Sequence, residues 1–269
     1  MELEGKIALV TGSSRGIGRG IAIKLAENGA EKVCITYLGQ KEEAEETLRR
    51  VRHAGSDGII VQCDVCQAGS ITELFRQAKE AFGRLDIFVS NARSQLGEFY
   101  QPANEITDEQ FEHAFRSQSQ AFHRGVRHAL ELLPDGGRII AVTYAPSART
   151  GSWQPWVAMG SAKAAMESLC RYYAVLLGER GITVNLVSPG VTDDSVVSRL
   201  PPEVFQAIKE WHESGWTPMR RIATPADIGD AVVLLCSDKA GLITGQTLHV
   251  DGGQSIMDPA FPLPIQWPR

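Results

Sequence analysis

Residues 6–18 read Lys-Ile-Ala-Leu-Val-Thr-Gly-Ser-Ser-Arg-Gly-Ile-Gly. The apolar first half is typical of a β-strand, and Ile17, Ile21 and Leu25 then recur at the spacing of an amphipathic helix. The glycines between them allow a tight turn and let the backbone approach a pyrophosphate, to which the helix N-terminus offers free N–H groups. The stretch therefore predicts a strand, a phosphate-binding turn and a helix. The residues expected to hold the phosphates are Gly12, Ser14, Arg15, Gly16, Ile17 and Gly18.

Downstream of this unit, short apolar runs alternate with amphipathic segments along most of the chain. After the first strand at 6–11, strands are predicted at 33–37, 58–62, 87–90, 138–142, 183–188 and 247–250. Helices are predicted at 16–28, 41–54, 70–82, 108–133, 158–177 and 225–235. Nearly continuous apolar strands separated by helices indicate a parallel sheet that is covered on both faces. The predicted fold is α/β, a Rossmann-type doubly wound parallel sheet with helices on both faces, in a single domain of residues 1–257. Residues 258–269 form a Pro-rich tail outside the core.

Composition argues against several classes of protein. The chain has 269 residues, of which 43% are hydrophobic, and its net charge is -5. These values suit one soluble domain that binds neither nucleic acid nor a membrane, since there is no basic surface signal and no long apolar run. The first residues lack a signal sequence, so we expect a cytoplasmic protein. Five cysteines suit reduced thiols, and the pair Cys63 and Cys66 lacks further ligands, so we expect no metal site.

Four later segments follow predicted strands in a fixed order. They are Cys63-Asp64-Val65, Ser90-Asn91-Ala92-Arg93, Ser188-Pro189-Gly190-Val191-Thr192, and Thr244-Gly245-Gln246 with Val250-Asp251-Gly252-Gly253. With the glycine turn, they resemble the motifs of the short-chain dehydrogenase/reductase family over residues 6–253. The resemblance implies a dinucleotide cofactor whose adenine lies beside Asp64 and Val65. The other cofactor-binding residues that it implies are Asn91, Lys163, Pro189, Gly190 and Thr192.

The end of the second strand indicates which dinucleotide is bound. A protein that selects NAD usually places an acid there for the ribose hydroxyls, and that acid would repel a 2′-phosphate. This chain has Thr36-Tyr37-Leu38-Gly39 instead, and Arg15 lies within the glycine turn. Since arginine suits phosphate contacts, the sequence favours NADP(H), with Tyr37 at the adenosine end.

The catalytic positions depart from the family pattern. The resemblance implies a relay of Asn, Ser, Tyr and Lys, and Lys163 matches the lysine. The tyrosine belongs four residues before the lysine, where Met159 stands, or seven before it in the enoyl-acyl carrier protein reductase branch, where Trp156 stands. Gln118 occupies the asparagine place, and the serine place falls at Thr143 or Tyr144. The candidate catalytic residues are therefore Tyr144, Lys163, Trp156 and Thr143.

The roles of these candidates remain open at the level of sequence. Tyr144 is the remaining phenol near the expected reaction centre, and it is equally consistent with a pocket wall. Trp156 can donate a hydrogen bond but cannot titrate, so we expect it to shape an aromatic pocket with Trp153. Weaker candidates are Asp193, Asp194 and Arg93.

Two classes of function fit these features. Residues 193–222 occupy the place of the family's substrate lid, and Trp211, Trp216 and Met219 within them indicate a bulky apolar or aromatic substrate. The first class is an NADPH-dependent oxidoreductase that reduces a C=N, C=C or C=O acceptor with an atypical proton donor. The alternative is a non-redox catalyst of the cyclase type, or a regulatory module that retains NADP(H). The resemblance also implies a homodimer or homotetramer assembled through the helices at 108–133 and 158–177.

Overall fold

Seven parallel strands form one sheet in the computed structural model, which describes residues 1–93, 101–144, 156–194, 200–258 and 260–266. The strand order is β3-β2-β1-β4-β5-β6-β7. Neighbouring chain directions diverge between β1 and β4, which opens a crevice at the carboxyl ends of these strands. The strands are β1 Ile7–Val10, β2 Lys32–Tyr37, β3 Asp57–Gln62, β4 Ile87–Ser90, β5 Arg138–Val142, β6 Thr183–Pro189 and β7 Thr247–Val250.

Helices cover both faces of the sheet, so the predicted fold is confirmed. The helices are α1 Gly16–Glu27, α2 Lys41–His53, α3 Ala68–Phe82, α4 Asp108–Phe115, α5 Ala121–Ala129, α6 Val157–Leu177, α7 Pro202–Trp211, α8 Pro225–Cys236 and α9 Leu263–Gln266. Every predicted strand is present, and five of the six predicted helices end within two residues of the observed bounds. The sequence reading missed α7 and α9. Among the described residues, none of the helices combines the length and apolar character that a membrane span requires.

The two core layers follow from the alternation of side chains along the strands. In β1, Ala8 and Val10 pack under α1, α2 and α8, whereas Ile7 and Leu9 pack under α3, α5 and α6. A strand buried on both faces needs apolar residues at every position, because successive side chains point to opposite faces. All four residues of β1 are buried. The continuous apolar run in the sequence thus corresponds to a central strand.

The predicted helix at 108–133 is wrong as one continuous element. The chain forms a π-helical turn at Arg116–Gln120 between α4 and α5, and α5 ends at Ala129. Ser117 and Ser119 donate hydroxyl hydrogen bonds to the carbonyls of Ala114 and Phe115, at 3.1 and 3.2 Å. Serine hydroxyls compete with the backbone in this way and locally alter helix geometry. The turn carries Gln118, the residue at the family's asparagine place.

The outer face of α6 carries large apolar side chains that are exposed in the single chain, Tyr172, Val175 and Leu176. This face belongs to one of the helices expected to form a dimer or tetramer interface. The assembly state stays a prediction.

A matched pair of glycine substitutions tests the packing that holds α1 against α8. A Cβ at Gly20 would lie 2.4 Å from the carbonyl oxygen of Pro225, whereas a Cβ at Gly69 in α3 would meet no atom within 4 Å. Gly20→Ala should lower the free energy of unfolding by about 1–3 kcal/mol, because the helices must separate. Gly69→Ala should leave it unchanged or raise it by up to about 1 kcal/mol. Denaturant unfolding of both variants measures the difference, and equal effects would contradict the packing argument.

Candidate active site

The glycine turn is fixed by hydrogen bonds from three parts of the chain. Gly12 donates its N–H to the hydroxyl of Thr36, at 2.7 Å. The Asn91 amide donates to the carbonyls of Thr11 and Gly12, at 2.9 and 3.0 Å. A Cβ at Gly18 would lie 2.2 Å from the carbonyl oxygen of Gly12, so only glycine lets the helix start this close to the turn. Asn91 thus positions the turn on which the phosphates are expected to lie.

The first turn of α1 fits a pyrophosphate. Its N-terminal N–H groups have no carbonyl partner within the helix, and no side chain caps this end among the described residues. The helix dipole adds positive potential at the same place. Gly16 has a φ of +57°, a left-handed conformation that suits glycine. The residues present therefore fit the phosphates of a dinucleotide.

A cleft of about 1470 Å³ runs from this turn across the carboxyl edge of the sheet. It collects most of the residues that the sequence singled out. These are Gly12, Ser14, Arg15, Gly16, Ile17, Gly18, Tyr37, Asn91, Thr143, Tyr144, Trp156, Lys163, Pro189, Gly190 and Thr192. Asp64 and Val65 are not among its lining residues: Val65 is buried in the core, and the Asp64 carboxylate accepts the N–H of Cys66, at 2.9 Å. Their contact with adenine stays a prediction.

The end of the cleft beside Tyr37 contains a charge pattern that sequence reasoning missed. Arg19 donates to the carbonyl of Ser14 at 3.1 Å and to the hydroxyl of Thr47 at 2.9 Å, and it pairs with Glu43. Glu43 also lines the cleft, so an acid is present near the ribose site although none ends β2. The Arg19 guanidinium offsets that acid. The spacing of Arg19 and Glu43, on different helices, gave no local motif by which to find them.

At the other end, Lys163 is buried and donates to the carbonyl of Val142 at 2.6 Å. Burial lowers the pKa of Lys163 to about 7; the positive charge of Arg93 adds to this effect, and the carboxylate of Glu167 opposes it. Glu167 accepts a hydrogen bond of 2.5 Å from the hydroxyl of Thr143. The Thr143 proton is thus used within the protein, which suits a residue that orients Glu167 beside Lys163.

The two tyrosine places of the family lie in different surroundings. Met159 is fully buried and does not line the cleft. Trp156 does line it, with its ring 5.8 Å from that of Tyr144, centroid to centroid. Ile106 and Phe115 pack behind them. The aromatic pair of Trp156 and Tyr144 therefore faces the cleft, whereas residue 159 faces the core. Trp153 lies outside the described residues.

The position of Gln118 does not reproduce a relay residue. Its side chain is buried, and its amide donates to the carbonyl and hydroxyl of Ser117, both at 3.1 Å. Gln118 is absent from the cleft lining. In the described structure its side chain thus stabilises the π-helical turn.

A wall of apolar side chains closes the cleft on the side of α7. These residues are Leu200, Val204, Ala207, Ile208 and Trp211, and His212 follows them. A parallel bridge between Thr192 and Ala223 fixes the base of this segment, and Trp211 stacks on Trp216 with ring centroids 5.4 Å apart. The segment expected to act as a lid therefore lines the cleft, and its opening and closing stay a prediction.

The C-terminal tail supports the same segment. A Cβ at Gly215, whose φ is +103°, would lie 2.9 Å from Cδ of Pro264 in α9. The tail from residue 258 onward is therefore packed, through its described part, against the turn that follows α7. This corresponds to the pocket rim, one of the two places that the sequence left open for it.

The Cys63 and Cys66 pair lies away from the cleft. Cys66 Sγ is 3.1 Å from Nε2 of His113, and burial raises the pKa of both thiols to about 11. Thiols with a raised pKa are poor nucleophiles and poor metal ligands at neutral pH. The described residues contain no cluster of three His, Cys, Asp or Glu side chains that could hold a metal ion.

The fold and the cleft have clear counterparts among known proteins. A family model described as enoyl-(acyl carrier protein) reductase matches residues 12–255. This chain belongs to the short-chain dehydrogenase/reductase family. The 1-cyclohexenylcarbonyl-CoA reductase of Streptomyces collinus is 36% identical to this reductase over 262 residues, covering 95% of this chain and 89% of the relative.

Two further relatives extend the comparison. A hydroxynaphthalene reductase-like protein, Arp2 of Metarhizium brunneum, is 34% identical over 259 residues, covering 93% of this chain and 95% of the relative. The crystal structure of the angucycline C-6 ketoreductase LanV with bound NADP superimposes with a TM-score of 0.85 and 35% identity, covering 95% of this chain and 98% of that one. The predicted family is confirmed, including the partial likeness to the enoyl-reductase branch.

Arg15 provides a test of cofactor choice in this reductase. Arg15→Ala should weaken NADPH binding by about 1–3 kcal/mol, because a charge-assisted contact with the 2′-phosphate is lost, and should change NADH binding little. Calorimetric titration of both cofactors measures this. Arg49→Ala, on the exposed face of α2, is the matched control and should alter neither affinity. Equal affinities of the parent protein for NADPH and NADH would contradict the argument.

Lys163 provides a test based on pH. Its pKa of about 7 in the folded protein lies below the ordinary value of 10.5, so the unfolded chain binds the extra proton between these values. The folded protein therefore pays the full cost of the buried ammonium below pH 7, and the cost disappears as the pH rises toward 10.5. Lys163→Met should accordingly raise the Tm of the cofactor-free protein at pH 7, by a margin that shrinks at higher pH.

The same variant should bind NADPH more weakly, because the ammonium that is expected to hold the nicotinamide ribose is gone. Lys79→Met, on the exposed face of α3, is the control and should show neither change. A Lys163→Met protein that is less stable at pH 7 than the parent would contradict the assignment.

Proposed function

We propose that this chain is an NADPH-dependent reductase of a bulky apolar or aromatic ring acceptor, and that Tyr144 faces the oxygen of the substrate. The supporting observation is the content of the cleft: Tyr144, Trp156 and Lys163 line it together, and residue 159 is buried outside it. The acid of the family's helix is thus replaced by a phenol from the end of β5.

The cofactor assignment rests on the residues at both ends of the cleft. NADPH, when bound, supplies a hydride. The turn at Gly12 and the start of α1 would hold its phosphates, Arg15 its 2′-phosphate, and Lys163 its nicotinamide ribose. The NADP in the LanV structure supports this cofactor for a chain of the same fold.

The acceptor is best described as a C=C or C=O bond in or beside a ring, conjugated to a carbonyl group. Reduction adds one hydride and one proton, and the hydride places negative charge on the carbonyl oxygen of a conjugated acceptor. Tyr144 can stabilise that oxygen by donating a hydrogen bond, and it or water can then deliver the proton. The Trp156 N–H can donate a hydrogen bond but cannot transfer its proton. Conjugation lowers the need for a strong acid, which agrees with a tyrosine place that holds methionine.

The size and polarity of the acceptor follow from α7 and from the relatives. The wall formed by α7 is apolar and aromatic, so it favours a substrate with a large apolar surface. The names of two relatives, a 1-cyclohexenylcarbonyl-CoA reductase and a hydroxynaphthalene reductase-like protein, contain a ring of this kind. A C=N acceptor and the non-redox alternative are not favoured by any specific contact in the described cleft.

The pair Tyr144→Phe and Trp156→Phe tests this proposal. NADPH oxidation is measured with a panel of cyclic enones, bicyclic ketones and imines. Tyr144→Phe should lower kcat by about 10²–10⁴-fold, the range of a positioned proton donor. Trp156→Phe should act mainly on KM, because the indole packs against the substrate without exchanging a proton.

Three outcomes would argue against parts of the proposal. Turnover that survives Tyr144→Phe nearly intact would mean that Tyr144 is only a wall of the cleft. Turnover of imines alone would replace the conjugated carbonyl acceptor. If the parent protein binds NADPH but oxidises it with no member of the panel, the non-redox reading becomes the better one.

A further inference from the structure

His212 is a buried polar residue at the substrate end of the cleft. It begins the π-helical turn His212–Trp216 that follows α7, and only 2% of its surface is exposed. It lines the cleft together with Ile208 and Trp211. Neither the family motifs nor the relay of catalytic residues accounts for a histidine here.

The hydrogen bonding of the ring defines which nitrogen carries the proton. Nδ1 lies 2.7 Å from the carbonyl oxygen of Ile208, and a carbonyl oxygen can only accept. The proton of the neutral ring is therefore on Nδ1, and Nε2 presents a lone pair. Nε2 is buried and has no hydrogen-bond partner in the part of the chain that the structure describes. Buried acceptors are rarely left without a donor, so this atom requires an explanation.

The ring is held in place from several sides. The Trp211 ring packs against it at 5.0 Å, edge to face, and Trp216 stacks on Trp211. The turn that contains them packs in turn on α9 at Gly215. Because the ring is held on these sides, a donor for Nε2 has to come to it from the cleft.

Water is a poor candidate for that donor. A buried water needs two to four polar partners to be stable. The cleft residues that precede His212 on α7 are apolar or aromatic side chains, Leu200, Val204, Ala207, Ile208 and Trp211. A hydroxyl group carried by an apolar ligand would satisfy Nε2 while its ring contacts this wall.

We propose that His212 recognises a hydroxyl group on the substrate, by accepting its hydrogen bond at Nε2, and that the substrate is therefore a hydroxylated cyclic or aromatic acceptor. This inference rests on the proposed reductase function and names the polar group of its substrate. His212 is a specificity-determining residue here and takes no part in proton transfer to the reduced bond.

Binding of two probes of similar size tests the inference without any turnover. The probes are 2-naphthol, which can donate a hydrogen bond, and 2-methoxynaphthalene, which cannot. Calorimetry with the NADP⁺-loaded protein should give a Kd for 2-naphthol that is about 3- to 10-fold lower than for the ether, the range of one neutral hydrogen bond. His212→Phe retains an aromatic ring but lacks the acceptor, and it should bring the two Kd values together. His249→Phe, at an exposed position on β7, is the matched control and should retain the preference.

Nitrogen-15 NMR of the unmutated protein provides a second measurement that does not depend on a variant folding. The His212 ring should show the Nδ1–H form, and 2-naphthol but not the ether should shift the Nε2 resonance in the direction of an accepted hydrogen bond. Equal binding of both probes by the parent protein, binding of neither, an Nε2–H form, or an equal loss of both affinities in His212→Phe would overturn the inference. Failure of the reductase function would appear separately, as absent NADPH binding or absent oxidation.

Discussion

The hydrogen bonds between the glycine turn and Asn91 are the constraint on which the rest of the site depends. Asn91 follows β4, and its amide donates to the carbonyls of Thr11 and Gly12 at the end of β1. The Thr11 hydroxyl in turn accepts the N–H of Asn91, at 2.9 Å. These contacts join the two strands between which the sheet changes direction, so the crevice and the start of α1 are fixed relative to each other. The cofactor end of the cleft is therefore a property of backbone geometry, and tolerates wide change in the catalytic side chains.

The catalytic end is organised by a buried charge. An ammonium in the protein interior is costly unless groups of opposite polarity surround it. Lys163 has the carbonyl of Val142 and the carboxylate of Glu167, which the Thr143 hydroxyl orients. The positive charge of Arg93 works against this arrangement and holds the pKa of Lys163 low. A bound dinucleotide would bring ribose hydroxyls to the same ammonium, so the cost carried by the free protein is offset on binding.

The sequence could predict the sheet, most helices and the phosphate turn because each is encoded locally. Apolar runs such as Ile7–Val10 and the spacing of Ile17, Ile21 and Leu25 depend only on neighbours in the chain. Other features depend on contacts between distant segments. Arg19 and Glu43 meet from two helices, and the partner of Asp64 is the N–H of Cys66 within its own loop. The helix α7 was missed because its apolar side chains face the cleft and give a weak periodic signal.

The exchange of the family tyrosine follows from the geometry of α6. Residues 156, 159 and 163 lie at spacings of seven and four, so all three fall near one side of the helix, but residue 159 is rotated toward α4. There Met159 packs with Ala114 and Ala162 in an apolar cluster. A phenol at that place would bury a hydroxyl among alkyl groups, whereas Trp156 and Tyr144 keep polar atoms at the border of the cleft. The packing of α4 on α6 thus selects an apolar residue at 159 and leaves the polar chemistry to the end of β5.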